Sequence, residues 1–120
     1  MGDVDYRFTP SARRANSQVR EQIANILLFD ISDPRLRMVT VTGCDVSPDK
    51  RNAKIYYTAG KDKYEEVEQS FTNAKGYIRK LLGDRLDWRV VPNLNFLLDP
   101  SVDLGESIAA AFEAEEKREV

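Results

Sequence analysis

Apolar residues along this 120-residue chain alternate between helical and strand spacing, and the order of those switches limits the folds open to it. Ala12, Ala15, Val19, Ile23, Ile26 and Leu27 recur at helical intervals. At 100° per residue they fall within an arc of about 120°, a core-facing stripe. Thr9-Pro10 ahead of them reads as N-cap and first helical residue. The helix should stop before Asp33-Pro34, because a residue preceding proline is pushed out of the α region. Met38 to Val46 is rich in β-branched residues and too short for a helix of its own, so it reads as a strand. Ser47-Pro48-Asp49-Lys50 has turn chemistry, and Asn52 to Ala59 then alternates, with Ala53, Ile55, Tyr57 and Ala59 on one face. Two such runs around a short turn make an antiparallel hairpin.

Helical spacing returns from about Lys63 to Leu86 through Val67, Phe71, Ala74, Ile78, Leu81 and Leu82, with Gly76 in the middle. After Pro92, Leu94, Phe96 and Leu98 alternate as a third strand over 93–99. Ser101 to about Glu116 reads as a short helix with Leu104, Ile108, Ala111 and Phe112 as its apolar side. The order α-β-β-α-β plus a terminal helix predicts one α+β domain over residues 1–120, with helices covering one face of a three-stranded sheet. The folded part should span about 6–112, with an acidic tail over about 113–120. Periodicity does not say where the third strand docks.

The inventory narrows the chemistry. There is no histidine, which removes the commonest member of catalytic triads, most zinc sites and neutral-pH proton shuttles. The single cysteine, Cys44, allows no internal disulfide and no Cys-rich metal cluster, and its apolar surroundings suit a small core residue better than a nucleophile. Asp30/Asp33, Asp45/Asp49, Asp84/Asp87 and Asp99/Asp103 lack the pattern of a calcium loop. A catalytic reading would therefore rest on carboxylates alone, those at Asp33, Asp49 and Asp99 lying beside prolines at expected turns. No apolar run approaches the ~20 residues of a membrane span. The N-terminal MGDVDYRF has no signal-peptide core. The expectation is a soluble cytoplasmic protein, not an enzyme, with neither metal nor cofactor.

Net charge is −2, which taken alone argues against a nucleic-acid binder. Split at Asn93, the first part carries +3 and the remainder −5. The basic residues cluster as Arg7, Arg13, Arg14 and Arg20 on or near the first helix, Arg35 and Arg37 before the first strand, Lys50, Arg51 and Lys54 at the hairpin, and Lys75, Arg79 and Lys80 around Gly76, with Arg85 and Arg89 beyond. Such groups bind nucleic-acid backbones, and they also occur as ordinary solvated faces with helix ion pairs. If the helix broke at Gly76, freed N–H groups could receive a phosphate, with Lys75 and Arg79 reinforcing the field. A glycine kept for packing is the alternative. Tyr56 shares its strand face with Lys54, where it could stack a base or pack across strands. Trp88 and Phe71 read as core or core-edge residues.

Four stretches carry a resemblance: RRANSQVREQIANIL (13–27), DPRLRMVTVTGCDVSPD (33–49), NAKGYIRKLL (73–82) and VPNLNFLLDPS (91–101). Together they resemble the bacterial ribosome-binding factor A family over nearly the whole chain. That resemblance implies a type-II KH-like fold, in which the GXXG loop of ordinary KH domains is replaced by an Ala-X-Gly kink, here Ala74-Lys75-Gly76. It also implies a non-enzymatic factor that binds the immature 30S subunit and 16S rRNA and promotes late rRNA maturation. A role in the cold and ribosome-assembly GTPases as partners come with it. Arg13, Arg14 and Arg20 fall where the family tends to be basic, while the other basic positions are assigned to RNA from charge alone. Some members end in a basic tail, whereas this sequence ends acidic. A second expectation is an interaction module that binds ribosomal proteins or an assembly GTPase. A monomer is the simplest state.

Overall fold

A computed structural model describes residues 9–99 of the chain. Arg7, the terminal helix expected from Ser101 and the acidic end at 113–120 lie outside the described residues. Helix α1 spans Pro10–Asn25. The Thr9 hydroxyl accepts the Ala12 N–H at 3.2 Å, so the cap read from Thr9-Pro10 is the one formed. All six stripe residues from Ala12 to Leu27 are buried. The helix continues into a wider π turn over Ile26–Asp30, which leaves Leu28 and Phe29 facing water.

Asp33-Pro34 stops one helix and starts another. The Asp33 carboxylate accepts the Arg35 N–H at 3.0 Å and caps α2, a single turn over Pro34–Arg37. This turn uses up residues ahead of the first strand, so β1 begins at Thr40 rather than Met38 and runs to Val46. Leu36 is the buried anchor of α2, while Met38 is 77% exposed.

Strand β2, Asn52–Thr58, pairs antiparallel with β1 from Thr40 opposite Thr58 to Val46 opposite Ala53, with a bulge between Val41 and Gly43. The Ser47–Asp49 turn ties itself together, since the Ser47 hydroxyl donates to Asp49 at 2.6 Å and accepts from the Asn52 N–H at 3.0 Å. Lys50 takes the left-handed conformation there, with φ of 61°. A 3₁₀ turn over Lys61–Lys63 leads into α3, Tyr64–Arg85, and β3 follows over Asn93–Leu98. Strand β3 lies parallel to β2 on the side away from β1, so the sheet order is β1-β2-β3. Parallel neighbours need a crossover, and α3 supplies it.

Both helices cover one face. α1 packs on β1 and α3 on β3. Ala53, Ile55 and Tyr57 of β2 and Leu94 of β3 meet Val19, Ile23, Ile78 and Leu82 in one core. Phe71 is buried among them, stacked on Phe96 at 4.1 Å between ring centres and tilted against Tyr57 at 4.8 Å. The other sheet face, with Lys54, Tyr56 and Leu97, carries no helix among the described residues. The arrangement is the α-β-β-α-β order of a KH-like α+β domain, with one short extra helix. No helix among the described residues is long and apolar enough to cross a membrane.

α3 runs uninterrupted through Ala74-Lys75-Gly76, so the helix does not break at Gly76. Flanking turns with good helix formers carry the backbone ladder across the glycine, and no N–H groups are released there. Nor does Gly76 pack. A methyl group built on it would meet nothing within 4 Å. The packing glycine is Gly83, where the same methyl would stand 2.8 Å from Val91 Cγ2.

Candidate nucleic-acid interface

Helix α3 and strand β3 build a groove of about 420 Å³. Lys75 and Thr72 come from one flank of α3, Lys54 from β2, and Asn95 and Leu97 from β3. Tyr57, Phe71 and Phe96 form its floor, Tyr57 and Phe71 buried in the core and Phe96 half-buried, so the aromatic surface beside the two lysines is that of Phe96. Glu68 is the single carboxylate on this lining. The combination suits a ligand with both flat apolar faces and negative charge, which describes a nucleotide strand.

The groove continues along α3. At 100° per residue, Lys75, Gly76, Arg79 and Gly83 follow one another along a common flank. A second hollow of about 620 Å³ is lined there by Gly76, Arg79, Lys80 and Gly83 together with Arg89 and Val91. Asp84 is its one carboxylate. Bare backbone at Gly76, beside three cations, lets a bulky chain approach the helix closely.

The basic residues singled out in the sequence divide into groups. Lys54 and Lys75 share the first groove, and Arg79 and Lys80 the second. Arg79 also has structural work, since it donates from Nε to the Pro92 carbonyl at 3.2 Å and from Nη2 to the Val91 carbonyl at 2.9 Å. It thereby fixes the chain entering β3. Lys50 Nζ sits 4.9 Å above the Trp88 ring, a contact that folds the hairpin turn against the loop after α3. Arg51 is exposed, and its carbonyl accepts the Asn93 N–H at 2.8 Å.

Arg13, Arg14 and Arg20 are exposed on α1, away from the grooves. The Asn16 side chain accepts the Val46 N–H at 2.8 Å, which marks the side of α1 turned to β1. Arg13 and Arg20 follow next around the helix, so they flank the β1 edge while Lys75 flanks β3. Arg14 points another way again. Arg13 and Arg20 thus stand on the β1 side of the sheet, apart from the groove cations on the β3 side.

Sequence reading missed Thr72 and Asn95 as groove residues, and counted Arg89 among the basic clusters without assigning it to RNA. Their signals were present: Thr72 stands one helical turn before Lys75, and Asn95 alternates with the core residues Leu94 and Phe96. Tyr56 is half-buried, with its ring beside Gly43 across the strand pair. Cross-strand packing is the role this contact favours. Cys44 packs against the core, and burial, followed by the neighbouring Asp45 charge, pushes its thiol up to about 12. It is no nucleophile at neutral pH.

A family model described as ribosome-binding factor A matches residues 11–112. A ribosome-binding factor A from Alkalilimnicola ehrlichii is 40% identical over 107 residues, covering 86% of this chain and 82% of the relative. Among solved structures, ribosome-binding factor A from Thermus thermophilus superposes with a TM-score of 0.66 at 24% identity, covering 72% of this chain and 94% of the other. A homology model of the Thermus thermophilus factor, fitted into the cryo-EM map of its complex with the 30S subunit, gives a TM-score of 0.56 at 23% identity. The match covers 68% of this chain and 88% of that one.

Proposed function

The chain belongs to the ribosome-binding factor A family, and from that premise we propose that it is a non-catalytic assembly factor for the small ribosomal subunit. It binds the immature 30S particle, holds 16S rRNA and promotes late rRNA maturation in the cytoplasm, with a part in growth in the cold. It acts as a monomer alongside ribosome-assembly GTPases. The observation that carries the RNA contact is the groove that brings Lys54 and Lys75 together beside half-buried Phe96. Phosphates meet the two ammonium groups, and unstacked bases of a single-stranded rRNA segment lie against the groove's apolar parts. Arg79, Lys80 and Arg89 extend the same track, and Gly76 leaves room for the backbone.

Position on the RNA, rather than bond-making, is then what the protein contributes. A domain that grips one exposed strand holds back competing pairings while the particle matures.

The test is salt-dependent binding of the full chain to immature small subunits. Reversing both groove lysines, Lys54→Glu with Lys75→Glu, should weaken binding by roughly tenfold or more and lower the slope of log affinity against log salt by about 2. Circular dichroism should stay unchanged, since both side chains are exposed. Unaltered affinity and slope in the folded double variant would rule out this groove as the RNA site.

A further inference from the structure

The sheet order pairs β1 on one side only, so among the described residues its other side is an open strand edge. The Ser47 N–H points inward, to the Asn52 carbonyl, and the Val46 N–H points outward, to the Asn16 side chain. By the same alternation the N–H and carbonyl of Cys44 and the carbonyl of Val46 face outward. An edge of this kind is a template for one more strand.

Helix α1 runs along that edge. Asn16 to Leu27 covers about 17 Å of helix, and Val46 to Val41 about 17 Å of strand. Asn16 bonds to Val46, while Leu27 and Leu28 share a hollow with Val39 and Val41, so helix and strand lie side by side in opposite directions. That hollow, of about 230 Å³, is lined by Leu27, Leu28, Leu36, Val39 and Val41, with Arg37 on its wall. Leu28 is 54% exposed there. Arg20 stands one helical turn past Asn16, level with Cys44, and Arg13 about one turn before it. Arg13, Arg20 and Arg37 are exposed and form no ion pair among the described residues. Glu21 points to another side of α1, and Asp45, opposite Lys54, lies on the sheet face away from the helices.

We propose that the β1 edge binds an extended, acidic peptide segment of a partner protein as a fourth strand. Its backbone pairs with Cys44 and Val46, an aliphatic side chain fills the hollow, and its carboxylates meet Arg13, Arg20 and Arg37. A second copy of this chain fits poorly, because pairing β1 with itself brings two sets of the same arginines together and the bulge between Val41 and Gly43 interrupts the ladder. A nucleic-acid phosphate accepts hydrogen bonds but donates none, so it leaves the outward carbonyls of Cys44 and Val46 unmatched. The edge lies apart from the RNA groove, and the proposal stands or falls without it.

The probe is a blocked heptapeptide of alternating glutamate and valine, added to the full chain at millimolar concentration and read by amide hydrogen exchange. At saturation it should slow exchange of the Cys44 amide by roughly tenfold or more, and leave the Ser47 amide, already bonded to Asn52, unchanged. A fully N-methylated version keeps the charge but cannot pair as a strand, and should give no protection. Arg20→Glu with Arg37→Glu should weaken peptide binding by roughly tenfold or more, with circular dichroism unchanged because both side chains are exposed. No protection of Cys44 by the glutamate–valine peptide overturns the proposal, as does unchanged affinity in the folded double variant. Equal protection by a lysine–valine heptapeptide or by an oligouridine of the same length also overturns it. Protection that rises with protein concentration in the absence of peptide assigns the edge to a second copy and overturns it too.

Discussion

At the scale of single residues, two glycines on one helix have opposite meanings. Gly76 occupies an exposed helical position with open space around its Cα, and glycine there costs about 1 kcal/mol relative to alanine. Gly76→Ala should raise unfolding stability by up to that amount in urea titration. Gly83→Ala should lower it by about 1 kcal/mol, because Val91 Cγ2 already stands where the methyl would go and a β-branched side chain has little freedom to turn aside. If Gly76→Ala stabilises the fold yet weakens subunit binding, the glycine is kept for close approach of a ligand. Asp33 makes a different residue-scale prediction. Its hydrogen bonds to the Arg35 side chain hold the carboxyl down to about 2, from an ordinary 3.8. The folded state therefore gains stability from Asp33 at pH values above the unfolded pKa, and that gain is lost as pH falls through about 2. Asp33→Asn should be less stable than the parent at pH 7, and the gap should close between pH 4 and pH 2 in thermal melts.

Among the elements, α3 joins the sheet to the site, and Arg79 is its fastening. Arg79→Met keeps the aliphatic stem but gives up hydrogen bonds to the Pro92 and Val91 carbonyls, and should cost about 1–3 kcal/mol in stability. Lys80→Met on the same helix should cost little, and comparing the two by denaturant unfolding separates the structural cation from a solvated one. The elements themselves were legible because each has its own period: the α1 stripe from Ala12 to Leu27, the alternation of Ala53, Ile55 and Tyr57, and the buried set on α3 all follow local pattern. The one-turn α2 escaped because Asp33-Pro34 carries the same signal for stopping and for starting a helix. Uninterrupted α3 could not be foreseen from Gly76, since a glycine lowers helix propensity without deciding the outcome against the packing of Phe71, Ile78 and Leu82. Docking of β3 beside β2 was invisible, because strand order depends on contacts between residues some forty positions apart. The groove was half legible: charge picked out Lys54 and Lys75, but only the parallel register brings them together.

For the whole molecule, the separation of cations between the β1 and β3 sides has a measurable outcome. If the small subunit contacts only the β3 side, Arg13→Glu with Arg20→Glu should leave the salt slope of binding nearly unchanged, while reversal of Lys54 and Lys75 lowers it. If both sides lie against rRNA, the two double variants should lower the slope by similar amounts, about 2 each, measured on the same particles. The parallel pairing of β3 with β2 also sets an order of assembly. The β1–β2 hairpin closes over a few residues, but β3 adds to it only after all of α3 has crossed the sheet. During synthesis the strand that completes the groove is therefore the last part of the described domain to be made. A nascent chain that already displays its arginines on α1 still lacks the wall that Asn95 and Phe96 provide, so the proposed RNA groove does not exist until β3 has been made.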